Sequence, residues 1–176
     1  MLDQQTTKAI VQSIISEKNT YRPNYTLDDF SNTQKPCNFA FNLIEAEHLK
    51  DILELMRSET YEALLKYSKS NNQFLERSKV FGVTEETPYI YYLETTRAFD
   101  FLDSKKFSSV SRQLSLFVAL TDLTIVTIRE NSSDTLKLKA GERIVLLKDT
   151  DVVVIGNGKS PAIFYMSYVH FAQKEV

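Results

Sequence analysis

The chain has 176 residues, 43% apolar and 25% charged, with a formal net charge of −2. This is the balance of a globular protein with one core of ordinary size, and it excludes disordered, collagen-like and low-complexity chains. Basic residues are scattered among acidic ones, so no lysine- or arginine-rich stripe is available to neutralise a phosphate backbone, and direct nucleic-acid binding is disfavoured.

Cys37 is the sole cysteine. That excludes an intramolecular disulfide framework and fits a reducing, cytoplasmic compartment. With no Cys-x-x-Cys and no local histidine, Cys37 reads as a small apolar residue rather than a nucleophile. The opening Met1-Leu2-Asp3-Gln4-Gln5 is acidic and polar where a signal peptide would carry lysine or arginine, so no export signal is expected. The longest apolar stretches, such as Val152 to Ile155 and Ile163 to Met166, are too short to span a bilayer, so no membrane partner is expected.

In chain order, Ile10, Val11, Ile14 and Ile15 stand at helical spacing within residues 3–18 and predict a short amphipathic helix. Residues 19–35 are polar with Tyr21, Pro23, Tyr25 and Phe30 interspersed, a composition that suits an extended arm. Asn38 to Leu43 reads equally as a short strand or as the entry to a helix. From Glu45 to Tyr67, Leu49, Ile52, Leu53, Met56, Leu64 and Tyr67 form one stripe of a long amphipathic helix. Gln73 to Phe81 adds a further turn or two before Gly82 stops it.

After Pro88 the period changes to that of strands. Tyr89 to Leu93 is β-prone, Leu114, Leu116, Val118 and Leu120 alternate, and Leu123 to Ile128 continues with β-branched residues. Asn131 to Asp134 signals a turn, and Leu136 and Leu138 alternate with lysines. Gly141 punctuates, and Ile144 to Leu147, Val152 to Ile155 and Ala162 to Val169 follow as strands. The predicted fold class is α+β: a helical segment with an extended arm over residues 1–87, packed against an antiparallel β-sandwich over residues 88–176.

Within the β half, Leu136 to Leu147, Val152 to Gly158 and Pro161 to Val169 resemble the second half of a cupin jelly roll. In that family a glycine followed by an acidic residue turns the chain between strands, as Gly141-Glu142 can here. The family's second motif also asks for a proline, an inner glycine and a metal-binding histidine. Those positions hold Leu147, Asp149 and Val152, and Asn157 falls one residue late for the motif's final asparagine. The His-x-His pair of the first motif occurs nowhere in the sequence. The resemblance therefore implies a jelly roll without the ancestral metal site, so no metal and no cofactor is expected.

Chemistry-bearing residues are sparse. His48 stands near the start of the long helix and His170 at the end of the last strand, and each reads first as a solvated or strand-end residue. Gly-x-Ser-x-Gly is absent, which argues against a hydrolytic triad on a sharp turn. Gly156 to Ser160 is superficially similar to a phosphate loop but lacks its spacing, and Asn157-Gly158 reads as a hairpin turn. Glu85-Glu86, Asp28-Asp29 and Asp149/Asp151 read as turn or helix-start carboxylates. Tyr89, Tyr91, Tyr92, Tyr165 and Tyr168 are the most unusual group, able to line a pocket mouth or a dimer surface, with core packing an equally common use.

Together these features predict a non-enzymatic binding or regulatory module on a metal-free cupin-like fold. It would be a homodimer that offers its roll to a small ligand and its N-terminal helices to a protein partner. Two other classes stay open. One is a cofactor-independent sugar epimerase or isomerase, with His170 or His48 as base and Tyr165 or Tyr168 as acid. The other is a subunit of a larger assembly that docks through the helix from Glu45 to Tyr67.

Overall fold

The chain is described by a computed structural model covering residues 1–20, 25–26, 38–44, 46–70, 81–93, 97–99, 113–129, 132–147, 150–157 and 161–173. The first predicted helix forms as α1 (Gln4–Thr20) and buries Ile10 and Ile14. Asp3 caps it: its carboxylate accepts hydrogen bonds from the Thr6 backbone N–H at 2.8 Å and the Thr6 hydroxyl at 2.7 Å. Those two bonds favour the charged form and hold the Asp3 carboxyl below its ordinary value.

A single 3₁₀ turn (Glu47–Leu49) leads into α2 (Lys50–Ser70), which buries Leu53, Met56 and Ala63. The strands are β1 (Tyr25–Thr26), β2 (Asn38–Asn42), β3 (Phe81–Leu93), β4 (Arg97–Phe99) and β5 (Gln113–Ala119). They continue with β6 (Leu123–Arg129), β7 (Ser132–Leu138), β8 (Arg143–Leu147), β9 (Asp151–Gly156) and β10 (Ala162–Gln173). Asn38 to Asn42 is thus a strand. Most of the arm over 19–35, Cys37 and the extra helical turn from Gln73 lie outside the described residues, and Gly82 sits within β3.

The strands form two sheets, one of six in the order β1-β2-β3-β10-β5-β8 and one of four in the order β4-β9-β6-β7. Every pairing is antiparallel, so the molecule is an α+β protein with a sandwich-like β part. The last eight strands pair from the outside in: β3 with β10, β4 with β9, β5 with β8 and β6 with β7. Two further pairings, β5 with β10 and β6 with β9, draw this nested hairpin together laterally.

The composition change after residue 87 falls inside β3, a strand with neighbours on both sides. Proline has no N–H to donate to a ladder and is tolerated in such a strand only at an irregularity. The register between β3 and β10 shifts there, with Met166 opposite Tyr89 and Tyr168 opposite Glu86. On the β2 side the Pro88 carbonyl accepts a hydrogen bond from the Leu43 N–H at 3.0 Å. Glu85 and Glu86 are therefore strand residues, not turn or helix-start carboxylates. Likewise Ser132, Ser133 and Asp134 belong to β7, because the β6–β7 ladder closes at Arg129 opposite Ser132. The segment after Asn157 does not join a hairpin, since β9 and β10 lie in different sheets.

Alternation along the six-stranded sheet gives each face its own core. Ile90, Tyr92, Leu116, Val118, Ile163 and Tyr165 face α1 and α2 and pack with Ile10, Ile14, Leu53 and Met56. Leu93, Phe117, Ala119, Leu146, Phe164 and Met166 face the four-stranded sheet and pack with Leu123, Ile125, Leu138, Val152 and Val154. The sequence distributes one set of apolar residues between a helix layer and a sheet layer, as a strand buried on both faces requires.

Candidate functional site

The space between the sheets is filled mainly by hydrocarbon and aromatic rings. Phe164 stacks on Phe117 at 4.7 Å between centroids and on Tyr91 at 5.0 Å, and Tyr91 lies 6.0 Å from Tyr89. Val152, which stands where the cupin motif would place a metal-binding histidine, is wholly buried in this cluster.

Polarity enters this interior at one end. Ser115 shares its strand face with Phe117 and Ala119 and sits opposite Leu146 and Tyr168. Its side chain is fully buried, and among the described residues its hydroxyl oxygen has no hydrogen-bond partner. Facing it, the inner side of the β6–β7 hairpin grades from buried to open. Leu138 is 8% exposed and Leu136 38%, while Thr127, opposite Asp134, is half-buried. Among the described residues this end thus combines a partly exposed inner hairpin face with one covered hydroxyl that has no hydrogen-bond partner. An unpaired buried hydroxyl costs about 1–3 kcal/mol, and the Ser167 hydroxyl, opposite Leu116 on the helix-facing side of the sheet, is buried in the same way without a partner among the described residues.

At the other end the described polar groups are paired. The Thr121 hydroxyl donates to the Pro161 carbonyl at 3.1 Å and accepts from the Ile163 N–H at 2.9 Å. The Ala140 N–H donates to Asp122 Oδ1 at 2.9 Å, and the Gly141 N–H donates to the Ala119 carbonyl at 2.8 Å. Gly141 has φ +90°, and a Cβ there would lie 2.4 Å from the Leu2 carbonyl oxygen, so only glycine fits between this turn and the start of the chain. A groove of about 410 Å³ runs between α1 and this end, with Lys8, Gln12, Thr121 and Asn157 among its lining.

The tyrosines singled out in the sequence divide between the two faces. Tyr89 and Tyr91 join the aromatic stack, whereas Tyr92 and Tyr165 pack beneath the helices. Tyr165 is wholly buried, with its hydroxyl 3.4 Å from that of Thr60. Thr60 donates its own proton to the Met56 carbonyl at 2.9 Å, so Tyr165 is the donor of the pair. For Tyr168 and His170 the backbone is placed, opposite Ser115 and Gln113 respectively, and their side chains lie outside the description. His48 is in the 3₁₀ turn, half exposed, with Nε2 2.9 Å from Glu17 Oε2 of α1. It thereby ties the two helical elements together away from the β interior.

A charged cluster under α2 has no counterpart in the sequence pattern. Arg143, at the start of β8, pairs with Glu59 and donates to the Glu59 backbone carbonyl at 3.1 Å. Its second nitrogen lies 3.3 Å from Glu62, and the Met1 nitrogen lies 3.3 Å from Glu59. Arg143 and Glu59 are only 16% and 10% exposed, so this pair fastens α2 to the sheet. Eighty-four positions separate the partners, and no periodicity reports such a contact. Among the described residues, no group of three or more histidine, cysteine or carboxylate side chains is arranged to hold a metal, and no helix is long and apolar enough to cross a membrane.

No known protein family matches the sequence, and no curated protein matches it. A solved structure of the plu4264 protein from Photorhabdus luminescens is similar over 51% of this chain and 74% of that chain, with 15% identity and a TM-score of 0.33. A likeness that slight carries no argument about fold or function.

Proposed function

We propose that the chain is a non-enzymatic binding module built on a cupin-like jelly roll, whose ligand enters the roll at the Ser115 end. The nested pairing of β3 to β10 supports the jelly-roll reading, because a long hairpin rolled on itself pairs its outermost strands with each other and its innermost with each other. The single observation that carries the functional reading is the Ser115 hydroxyl, covered and, among the described residues, unpartnered at the end of an apolar interior. Small-molecule sites combine apolar walls with a few polar groups that fix orientation. Ser115 supplies such a group, and Thr127 and Leu136 lie on the opposing wall.

The matching ligand is a small, largely apolar molecule with one hydrogen-bonding group, seated after local displacement of the side chains over Ser115. The described interior residues supply packing surface and a few hydroxyls, with Val152 in the position that the motif gives to a histidine, and this composition favours binding over proton transfer. A thermal-shift screen of small amphiphilic compounds tests the reading. Hits are expected to stabilise the wild-type chain and to lose most of that effect in Ser115→Ala and in Val152→Phe, which adds bulk to the packed interior. Hits that act equally on both variants would overturn it.

A further inference from the structure

We propose that the groove between α1 and the Thr121 end is a site for a short zwitterionic peptide, with Lys8 receiving its carboxylate and Asp122 its ammonium group. The groove holds about 410 Å³, within the range of small-molecule sites, roughly 300–1,000 Å³. Gln4, Lys8 and Gln12 stand at successive four-residue steps on α1 and share one wall. Asp122, in the turn between β5 and β6, lines the groove from the sandwich side. Half-buried Val11 and buried Leu120 add apolar surface to the lining.

The two charges select the occupant. Lys8 is exposed, and its ammonium group has no ion pair or hydrogen bond among the described residues. Asp122 is exposed too; its Oδ1 accepts the Ala140 N–H at 2.9 Å, and no cation pairs with it among the described residues. That backbone bond orients the carboxylate before a ligand arrives. A simple anion meets repulsion from Asp122 and a simple cation repulsion from Lys8, whereas a ligand carrying both charges answers both. The Gln4 and Gln12 carboxamides each offer donors and an acceptor, the complement of a peptide group, and their side chains make no hydrogen bond among the described residues. Val11, Leu120 and Ala140 suit short aliphatic side chains, and a quaternary ammonium compound fits less well because the lining holds no aromatic ring. The groove lies outside the sandwich interior, so the proposal does not depend on what the Ser115 end binds.

Isothermal titration calorimetry at low ionic strength tests the proposal with three probes: trialanine, N-acetyl-trialanine, which lacks the ammonium group, and trialanine amide, which lacks the carboxylate. The wild-type chain should bind trialanine saturably and each capped form about two- to fivefold more weakly, the range of an exposed ion pair. Lys8→Gln should erase the penalty for amidation and keep the penalty for acetylation. Asp122→Asn, which retains an acceptor for the Ala140 N–H, should do the reverse. Circular dichroism shows that both variants are folded. Absence of saturable trialanine binding, equal affinity for the three probes, or variants that weaken all three probes alike would overturn it, the last by showing that the two residues shape the groove without reading the ligand's charges.

Discussion

The two ends of the sandwich are made from the same strands and differ in how they treat polar groups. At one end the Thr121 hydroxyl is used twice, Asp122 holds a backbone N–H, and Gly141 lets the turn meet the Leu2 carbonyl. At the opposite end Ser115 buries a hydroxyl with no partner among the described residues, and the β6–β7 hairpin exposes part of its inner face. A fold can hold a few unsatisfied groups only if the remainder is well determined. The contrast teaches that the Thr121 end, with α1 and α2 fastened over the adjoining sheet, supplies the stability on which the Ser115 end draws.

If that division is right, substitutions at the Thr121 end should be costly. Gly141→Val is expected to have the largest effect, because it places a β-branched residue at positive φ and a Cβ against a backbone oxygen. A loss of about 4 kcal/mol or more in denaturant unfolding, or failure to fold, is the expected result. Arg143→Met should come next, at about 3 kcal/mol, because it leaves Glu59 nearly buried without its main partner. Glu59→Gln with Arg143→Met should recover part of that loss, and a double-mutant cycle measures how much. Thr121→Val should cost about 2 kcal/mol, since it strands the Ile163 N–H and the Pro161 carbonyl together. Near-neutral results at all three positions would remove the asymmetry between the ends.

Much of the framework was legible in the sequence because it rests on local pattern. Ile10 and Ile14 on α1, Leu53 and Met56 on α2, the alternation along β5, and the short apolar runs of β8, β9 and β10 each mark an element within a few residues. The turn at Gly141 was equally legible, since a glycine before an acidic residue between two strands has few other uses. What stayed hidden depends on register or on distant contact. The strand character of Glu85 and Glu86 is imposed by β10 pairing past the Pro88 irregularity, against their low β-propensity. The tyrosines read as one group because composition does not say which face each takes. The register sends Tyr91 inward to Phe164 and Tyr165 outward to Thr60. Arg143 with Glu59, and the solitude of the Ser115 hydroxyl, are properties of the assembled structure alone.

The smallest effect carries the sharpest sign. Ser115→Ala removes a hydroxyl that makes no hydrogen bond among the described residues while leaving the Cβ and the surrounding packing in place. The unfolded chain loses a group that water solvates well, and the folded chain loses only a desolvated burden, so the balance favours the folded state. A gain of up to about 1 kcal/mol is expected, which for a chain of this length raises Tm by about 2–4 °C. The sign runs opposite to Thr121→Val, although both changes remove one hydroxyl from the same sandwich. Differential scanning calorimetry of the two variants side by side reads the difference directly. A Tm that falls in both by similar amounts would mean that Ser115 is satisfied in solution, by water or by movement of its neighbours, and that the Ser115 end holds no unmet polar group for a ligand to answer.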